Sequence, residues 1–251
     1  NLEWVRSRGS VGELQNYKLS DHSKNENEFW TFDFSNSISL VLADPGMGKT
    51  ELTKSLKNKC SSSYWTVIIS PQEVNLFFEE SKNLDRADYL NLFRTFILEK
   101  KYHHLKKLDK EFFKMCFEQL RVCYVWDALD EISPDYLKNV SDLIVLLSNQ
   151  GFTQWATGRK HLKSSLEKKF NTLSLSINQF NEREQQVYIR KRLNPIISSD
   201  NLEGAVRKVI SSFAFIKHID ILGIPIQIFM LTEIVVRNND KYLKLVGDGW
   251  R

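Results

Sequence analysis

Five short apolar runs punctuate the chain between residues 38 and 177: 38–42 (ISLVL), 65–69 (WTVII), 122–126 (VCYVW), 153–157 (TQWAT) and 172–177 (TLSLSI). Each is rich in β-branched or aromatic residues and too short for a helix, which predicts strands. Between them, apolar residues recur three or four positions apart, as Leu52 and Leu56 do in 50–59 and as Leu90, Phe93 and Ile97 do in the long segment 71–121. That period predicts helices with one apolar face. Ser70-Pro71 and Ser133-Pro134 each put a capping hydroxyl before a Pro at the first helical position. The second of these opens a helix to about residue 149, and a further helix is expected over 161–170.

Strand and helix thus alternate five times, the order of a parallel sheet covered on both faces. After Ile177 the alternation stops and the remaining pattern is helical, with Asn181 and Glu184 spaced as a capping pair for a helix over 182–193. The fold class expected is α/β: a five-stranded parallel sheet flanked by helices, followed by a small all-helical subdomain. The expected divisions are a polar lead-in over 1–37, an α/β domain over 38–177 and a helical subdomain over 178–251. Trp4 and Trp30 suggest that parts of the lead-in dock on the body. Phe77, Phe78, Phe93, Phe96, Phe112 and Phe113 fall on helical patterns and are expected in the core.

Composition narrows the function classes. At 42% apolar and 26% charged, the chain has the material of an ordinary globular core. A net charge of +4 is too mild to suggest nucleic acid as a partner. The three cysteines (Cys60, Cys116, Cys123) show no metal or disulfide spacing, which suggests a reducing compartment, and the cytoplasm is the expected location. The most apolar stretch, 219–236, contains Asp220, Pro225, Gln227 and Glu233, so a membrane span is not expected.

The segment Ala43-Asp44-Pro45-Gly46-Met47-Gly48-Lys49-Thr50 carries the chemistry. It matches the phosphate-loop pattern GxxxxGK[ST] except for Ala43 at the first glycine, and it lies between an expected strand and an expected helix. Gly46 and Gly48 let the backbone curl so that N–H groups face an anion, and the helix that follows offers its positive end to the same phosphates. Lys49 is placed for the β- and γ-phosphates, and Thr50 offers a hydroxyl to Mg²⁺. Pro45, Gly46, Met47, Gly48, Lys49, Thr50 and Glu51 are the candidate nucleotide-binding residues. Ala43 is compatible with the loop provided its φ is negative.

The third strand runs into Asp127-Ala128-Leu129-Asp130-Glu131. A carboxylate at the carboxyl end of a central parallel strand faces the crevice where such sheets bind ligands. Asp127 is the candidate Mg²⁺ ligand with Thr50, and Asp130 or Glu131 is placed to orient or deprotonate a water.

With these residues in view, the chain resembles the NACHT domain of the STAND class of P-loop NTPases. Trp126-Asp127-Ala128-Leu129-Asp130-Glu131 resembles that family's Walker B motif, with Ala128 where glycine is common. Ala156-Thr157-Gly158-Arg159 resembles its sensor 1, Gln179–Glu184 the entry to its first helical subdomain, and Leu222-Gly223-Ile224-Pro225 its GxP segment. The resemblance covers roughly 38 to 236. It implies an ATP/ADP switch with slow Mg²⁺-dependent hydrolysis, controlling opening and self-assembly in signalling or defence. It implies that Arg159 reads the γ-phosphate, that Pro225 lies against the adenine, and that effector and sensor domains flank this region. The preference for adenine over guanine rests on this resemblance, the sequence showing no guanine-reading Asn-Lys-x-Asp element.

The rival reading is a turnover ATPase motor of the AAA+ kind or one acting on nucleic acid. Other features take plainer readings. The basic run 100–107 reads as a solvated helix face, and His103 and His104 lack a third ligand for zinc. Val11-Gly12-Glu13 faintly resembles an adenine-side element but reads more simply as a loop. The apolar stripe in 221–236 reads as a packing face, with self-association as the alternative.

Overall fold

The computed structural model describes residues 4–6, 23–24, 37–60, 64–81, 89–197, 199–214 and 223–237. Val11–Glu13, Trp30 and Leu222 lie outside them, and for Trp4 only the backbone is described. Seven strands form one sheet: β1 (Trp4–Arg6), β2 (Ser23–Lys24), β3 (Ile38–Leu42), β4 (Trp65–Ile69), β5 (Val122–Trp126), β6 (Thr153–Gly158) and β7 (Leu175–Ile177), in spatial order β2-β1-β7-β3-β6-β5-β4. The five strands expected from the sequence are the parallel ones, β7-β3-β6-β5-β4. β1 and β2, from within the polar lead-in, add an antiparallel edge: β1 pairs with β7, and β2 with β1.

The helices are α1 (Lys49–Cys60), α2 (Pro71–Glu80), α3 (Tyr89–Phe96), α4 (Lys107–Glu118), α5 (Pro134–Asn149), α6 (Lys163–Phe170), α7 (Glu182–Leu193), α8 (Ser199–Ala214) and α9 (Pro225–Arg237). A π turn over Ile97–Lys101 extends α3, and a 3₁₀ turn over Lys160–Leu162 precedes α6. The capping at α2 and α7 is as the sequence predicts. Ser70 exchanges hydrogen bonds with Glu73, and Asn181 with Glu184, in complete capping boxes. Such caps stabilise by about 1 kcal/mol each. Ser133 differs, since its side chain makes no cap hydrogen bond. Its N–H donates to Asn75 Oδ1 (3.3 Å), and its carbonyl receives the N–H groups of Tyr136 and Leu137. Pro134 alone starts α5.

β3, β5 and β6 are buried along nearly their whole length, as central parallel strands must be. Phe93 stacks on Trp126 at 5.6 Å between centroids, and Phe77 packs edge-on to Phe78, Phe93 and Phe96. Phe113 joins this core, whereas Phe112 is 54% exposed, tilted against Trp65 on the outer side of α4. The fifth parallel strand is shorter than expected. Thr172 and Ser174 turn their backbone N–H groups to Glu167, the first to its carbonyl and the second to its buried carboxylate, and so cap α6 instead of extending the sheet.

The chain divides into two units. One holds the sheet and its helices, Glu3–Asp44 and Lys49–Ile177; the other gathers Pro45–Gly48 with the chain from Asn178 onward. In the second unit, Ile189, Leu193, Leu202, Val206, Val209 and Ile228 form a separate core. Gly223 is required there by space: a Cβ would come within 2.9 Å of Gln179, whose neighbour Phe180 donates its N–H to the Gly223 carbonyl (2.7 Å). Gly46 is required twice over. Its φ is +77°, and a Cβ would fall 2.4 Å from Ile226 Cγ2. Among the described residues no helix is long and apolar enough to cross a membrane.

Candidate functional site

Strand order brings the carboxyl ends of β3 and β5 close together. β6 pairs with β3 on one side and β5 on the other, with Leu42 opposite Gly158 and Trp126 opposite Ala156. The carboxyl ends of all three therefore lie side by side. The ends of β3 and β5 stand two strand spacings apart, about 10 Å, with the end of β6 between them.

Backbone ladders run on past the strands and fix these ends. Ala43 donates its N–H to the Gly158 carbonyl (3.0 Å), and Asp127 donates to Ile69 (3.0 Å). Immediately before Asp127, the buried Trp126 indole donates to Gln154 Oε1 (3.0 Å), and Gln154 Nε2 donates to the Ile144 carbonyl (2.8 Å). A fully satisfied buried network of this kind holds β5, β6 and α5 in one register.

The loop itself has the backbone its sequence predicts. Gly46 and Gly48 adopt φ of +77° and +91°. Ala43 is not among the residues with positive φ, so alanine costs nothing at the first position of the pattern. Met47 is buried, Pro45 is exposed and α1 begins at Lys49. Lys49 Nζ donates to the carbonyl of Ala43 (3.0 Å) and reaches that of Asp44 (3.4 Å). Thr50 and Glu51 are exposed in the first turn of α1, and Glu51 pairs with Lys54 at 2.6 Å.

On the acidic side, Thr157 was named by the sequence only as part of a motif, and the structure gives it a task. Its fully buried hydroxyl donates to Asp127 Oδ1 (3.1 Å) and accepts the Ala128 N–H (2.9 Å). Ala128 is left-handed, with φ 55° and ψ 60°. That is the backbone reason a glycine suits this position. The turn over Leu129–Glu131 carries Asp130 inward, where its side chain is 2% exposed and lies 2.8 Å from Arg159 Nε; Asp130 Oδ1 is buried without a hydrogen-bond partner. Glu131 is exposed.

One further pair was not foreseen. Lys160, next to Arg159, meets Asp44 of the loop at 2.5 Å. Only the proximity of the ends of β3 and β6 reveals it, since 116 positions separate the two residues. Pro225 belongs to the other unit, where it is the first residue of α9.

The donors suit Mg²⁺ by type: the Thr50 hydroxyl and the Asp127 carboxylate are hard oxygen ligands, and the orphaned Asp130 Oδ1 adds an acceptor nearby. Among the described residues no group of three or more His, Cys, Asp or Glu side chains converges as a self-sufficient metal site. A Mg²⁺ held by Thr50 and Asp127 would need further oxygen ligands from outside these side chains.

The comparisons agree with this arrangement at the level of fold. Domain III of the replication initiation protein DnaA from Thermotoga maritima matches 90% of this chain and 84% of its own, at 13% identity and a TM-score of 0.52. The chain has a P-loop NTPase fold. C. elegans PCH-2 (14% identity, 82% of this chain and 63% of that one, TM-score 0.38) and a chain of Drosophila ORC bound to DNA (16%, 86% and 60%, TM-score 0.48) match more loosely and carry no argument. No protein-family model and no curated protein matches the sequence.

Proposed function

We propose that this P-loop domain binds ATP and ADP with Mg²⁺ and hydrolyses ATP, as an ATPase module of the AAA+ kind. The observation that carries the proposal is that the carboxyl ends of β3, β6 and β5 lie side by side, β3 leading into the glycine-bent loop with Lys49 and β5 into Asp127 and the buried Asp130 side chain. The likeness to DnaA domain III supports the AAA+ kind over other P-loop classes. In this reading the backbone amides of residues 46–50 and the Lys49 ammonium bind the phosphates. Thr50 and Asp127 would hold Mg²⁺, which would supply positive charge to neutralise the β- and γ-phosphates. Asp130 takes the water's proton at its buried oxygen in preference to Glu131, whose side chain is turned to solvent. Arg159 exchanges its carboxylate partner for the γ-phosphate. Pro225 is assigned to the adenine.

A second reading, the slow NACHT-like switch that self-assembles in signalling, has one observation in its favour. Asp130 is held by Arg159, so water activation requires the pair to open first. A γ-phosphate that binds one arrangement better than the other would then drive the change.

Chromatography of nucleotide released from the purified protein, followed by turnover assays with and without DNA, tests both. Bound adenine nucleotide with appreciable turnover supports the AAA+ reading. Tightly held ADP with turnover far below once a minute supports the switch. No uptake of ATP in the presence of Mg²⁺ refutes both.

A further inference from the structure

The phosphate loop contains a carboxylate in an unfavourable place. Asp44 follows Ala43 directly, and the carbonyls of both residues surround the Lys49 ammonium, at 3.0 Å from Ala43 and 3.4 Å from Asp44. An aspartate whose backbone is this close to the phosphate-gripping cation has two natural electrostatic choices. It can turn to Lys49 and neutralise it, or it can stand beside the incoming phosphates and repel them. It does neither here, because Lys160 holds it at 2.5 Å.

Arg159 and Lys160 are consecutive residues at the end of β6, and each takes a carboxylate from a different segment: Asp130 from the acidic cluster and Asp44 from the loop. The register of β3 and β6, Leu42 opposite Gly158, delivers Lys160 to Asp44.

We propose that Lys160 is a positioning residue for phosphate binding: by sequestering Asp44 it leaves the Lys49 ammonium available to the nucleotide. The inference rests on the reading of this loop as a phosphate site, and it adds a residue outside the loop pattern that sets the charge there. Both members are about half exposed, 49% for Lys160 and 56% for Asp44, so the effect is modest and salt-dependent.

The test is a set of titrations with ATP, ADP and AMP in Mg²⁺. Lys160→Gln is expected to weaken ATP by about two- to fivefold, ADP by less and AMP hardly at all, because the effect scales with phosphate charge. Lys160→Arg keeps wild-type affinity. Asp44→Asn in the Lys160→Gln background restores it, since there is no longer a carboxylate to sequester. Unchanged AMP binding by the Lys160→Gln protein shows that the single variant is folded. A Lys160→Gln protein that binds ATP like the wild type overturns the proposal. So does a double variant as weak as the single one, which would make Lys160 a direct phosphate contact. Equal losses for ATP and AMP overturn it too. Wild-type protein that binds none of the three nucleotides overturns the phosphate-loop reading itself, a result distinct from any pattern among the variants.

Discussion

Arg159 Nε lies 2.8 Å from a carboxylate oxygen of Asp130, and the two ends of the pair differ in environment: the Asp130 side chain is 2% exposed, that of Arg159 47%. The guanidinium is thus a half-wet cap on a buried charge. Replacing it with alanine strands the carboxylate without a partner. Half exposure of Arg159 keeps the cost to the lower part of the usual range, about 1–2 kcal/mol. Asp130→Asn in the Arg159→Ala background removes the stranded charge and recovers most of that loss. Urea unfolding of the two single variants and the double variant measures the coupling, and strictly additive effects would mean that the pair contributes nothing.

Lys49 spends its charge on the loop's own carbonyls at 3.0 and 3.4 Å. Those are neutral acceptors, and a polyphosphate competes with them as a charged one. Lys49→Ala is expected to reduce ATP and ADP affinity by about 10- to 100-fold. The unfolding midpoint should fall only modestly, by about 1 kcal/mol of stability, because the carbonyl of the buried Ala43 loses its donor whereas that of the exposed Asp44 turns to water. Calorimetric titration decides the matter: undiminished binding would remove the loop from the site.

Thr157 is buried where Asp127 and Ala128 both depend on one hydroxyl. Thr157→Val keeps the shape and leaves the Ala128 N–H without its acceptor, a loss of about 1–3 kcal/mol. Asp127 also loses the donor that orients it. The Mg²⁺ concentration giving half-maximal ATP binding should therefore rise several-fold, whereas affinity measured without Mg²⁺ should change little. Thr157→Ser should restore the metal dependence. A Mg²⁺ requirement untouched by Thr157→Val would make the residue a packing element only.

The parts of the fold legible in the sequence are those fixed by local chemistry. Ile38–Leu42 reads as a buried strand because an unbroken apolar run needs two covered faces. The caps at Ser70 and Asn181 read correctly because donor and acceptor are three residues apart. Ser133 carries the same local signal without the cap bond: Tyr136, three positions on, has no carboxylate to return to the Ser133 N–H, which goes instead to Asn75, 58 positions away. β1 and β2 have three and two residues and pair with strands far along the chain or with each other, so no periodicity announces them. At the site, the glycine pattern and the acidic cluster were visible as motifs. The hydroxyl of Thr157 and the cation of Lys160 were not, because their roles exist only once β6 lies between β3 and β5.

Ala128 offers a test of how much strain the acidic turn carries. Its φ of 55° and ψ of 60° lie in the left-handed region, where a Cβ costs about 1–2 kcal/mol. Glycine removes that cost but gains about 0.4–1 kcal/mol of unfolded-chain entropy. The balance favours Ala128→Gly by about 0.5–1 kcal/mol, seen as a higher urea midpoint with an unchanged slope. The same substitution at Ala43 acts in the opposite direction. Ala43 is fully buried and not at positive φ, so glycine there only loosens the unfolded chain and removes a packed methyl group. The two alanines, both standing where the nucleotide-binding patterns favour glycine, should therefore respond with opposite signs. Destabilisation by Ala128→Gly would mean that the left-handed turn after Asp127 is not the conformation held in solution.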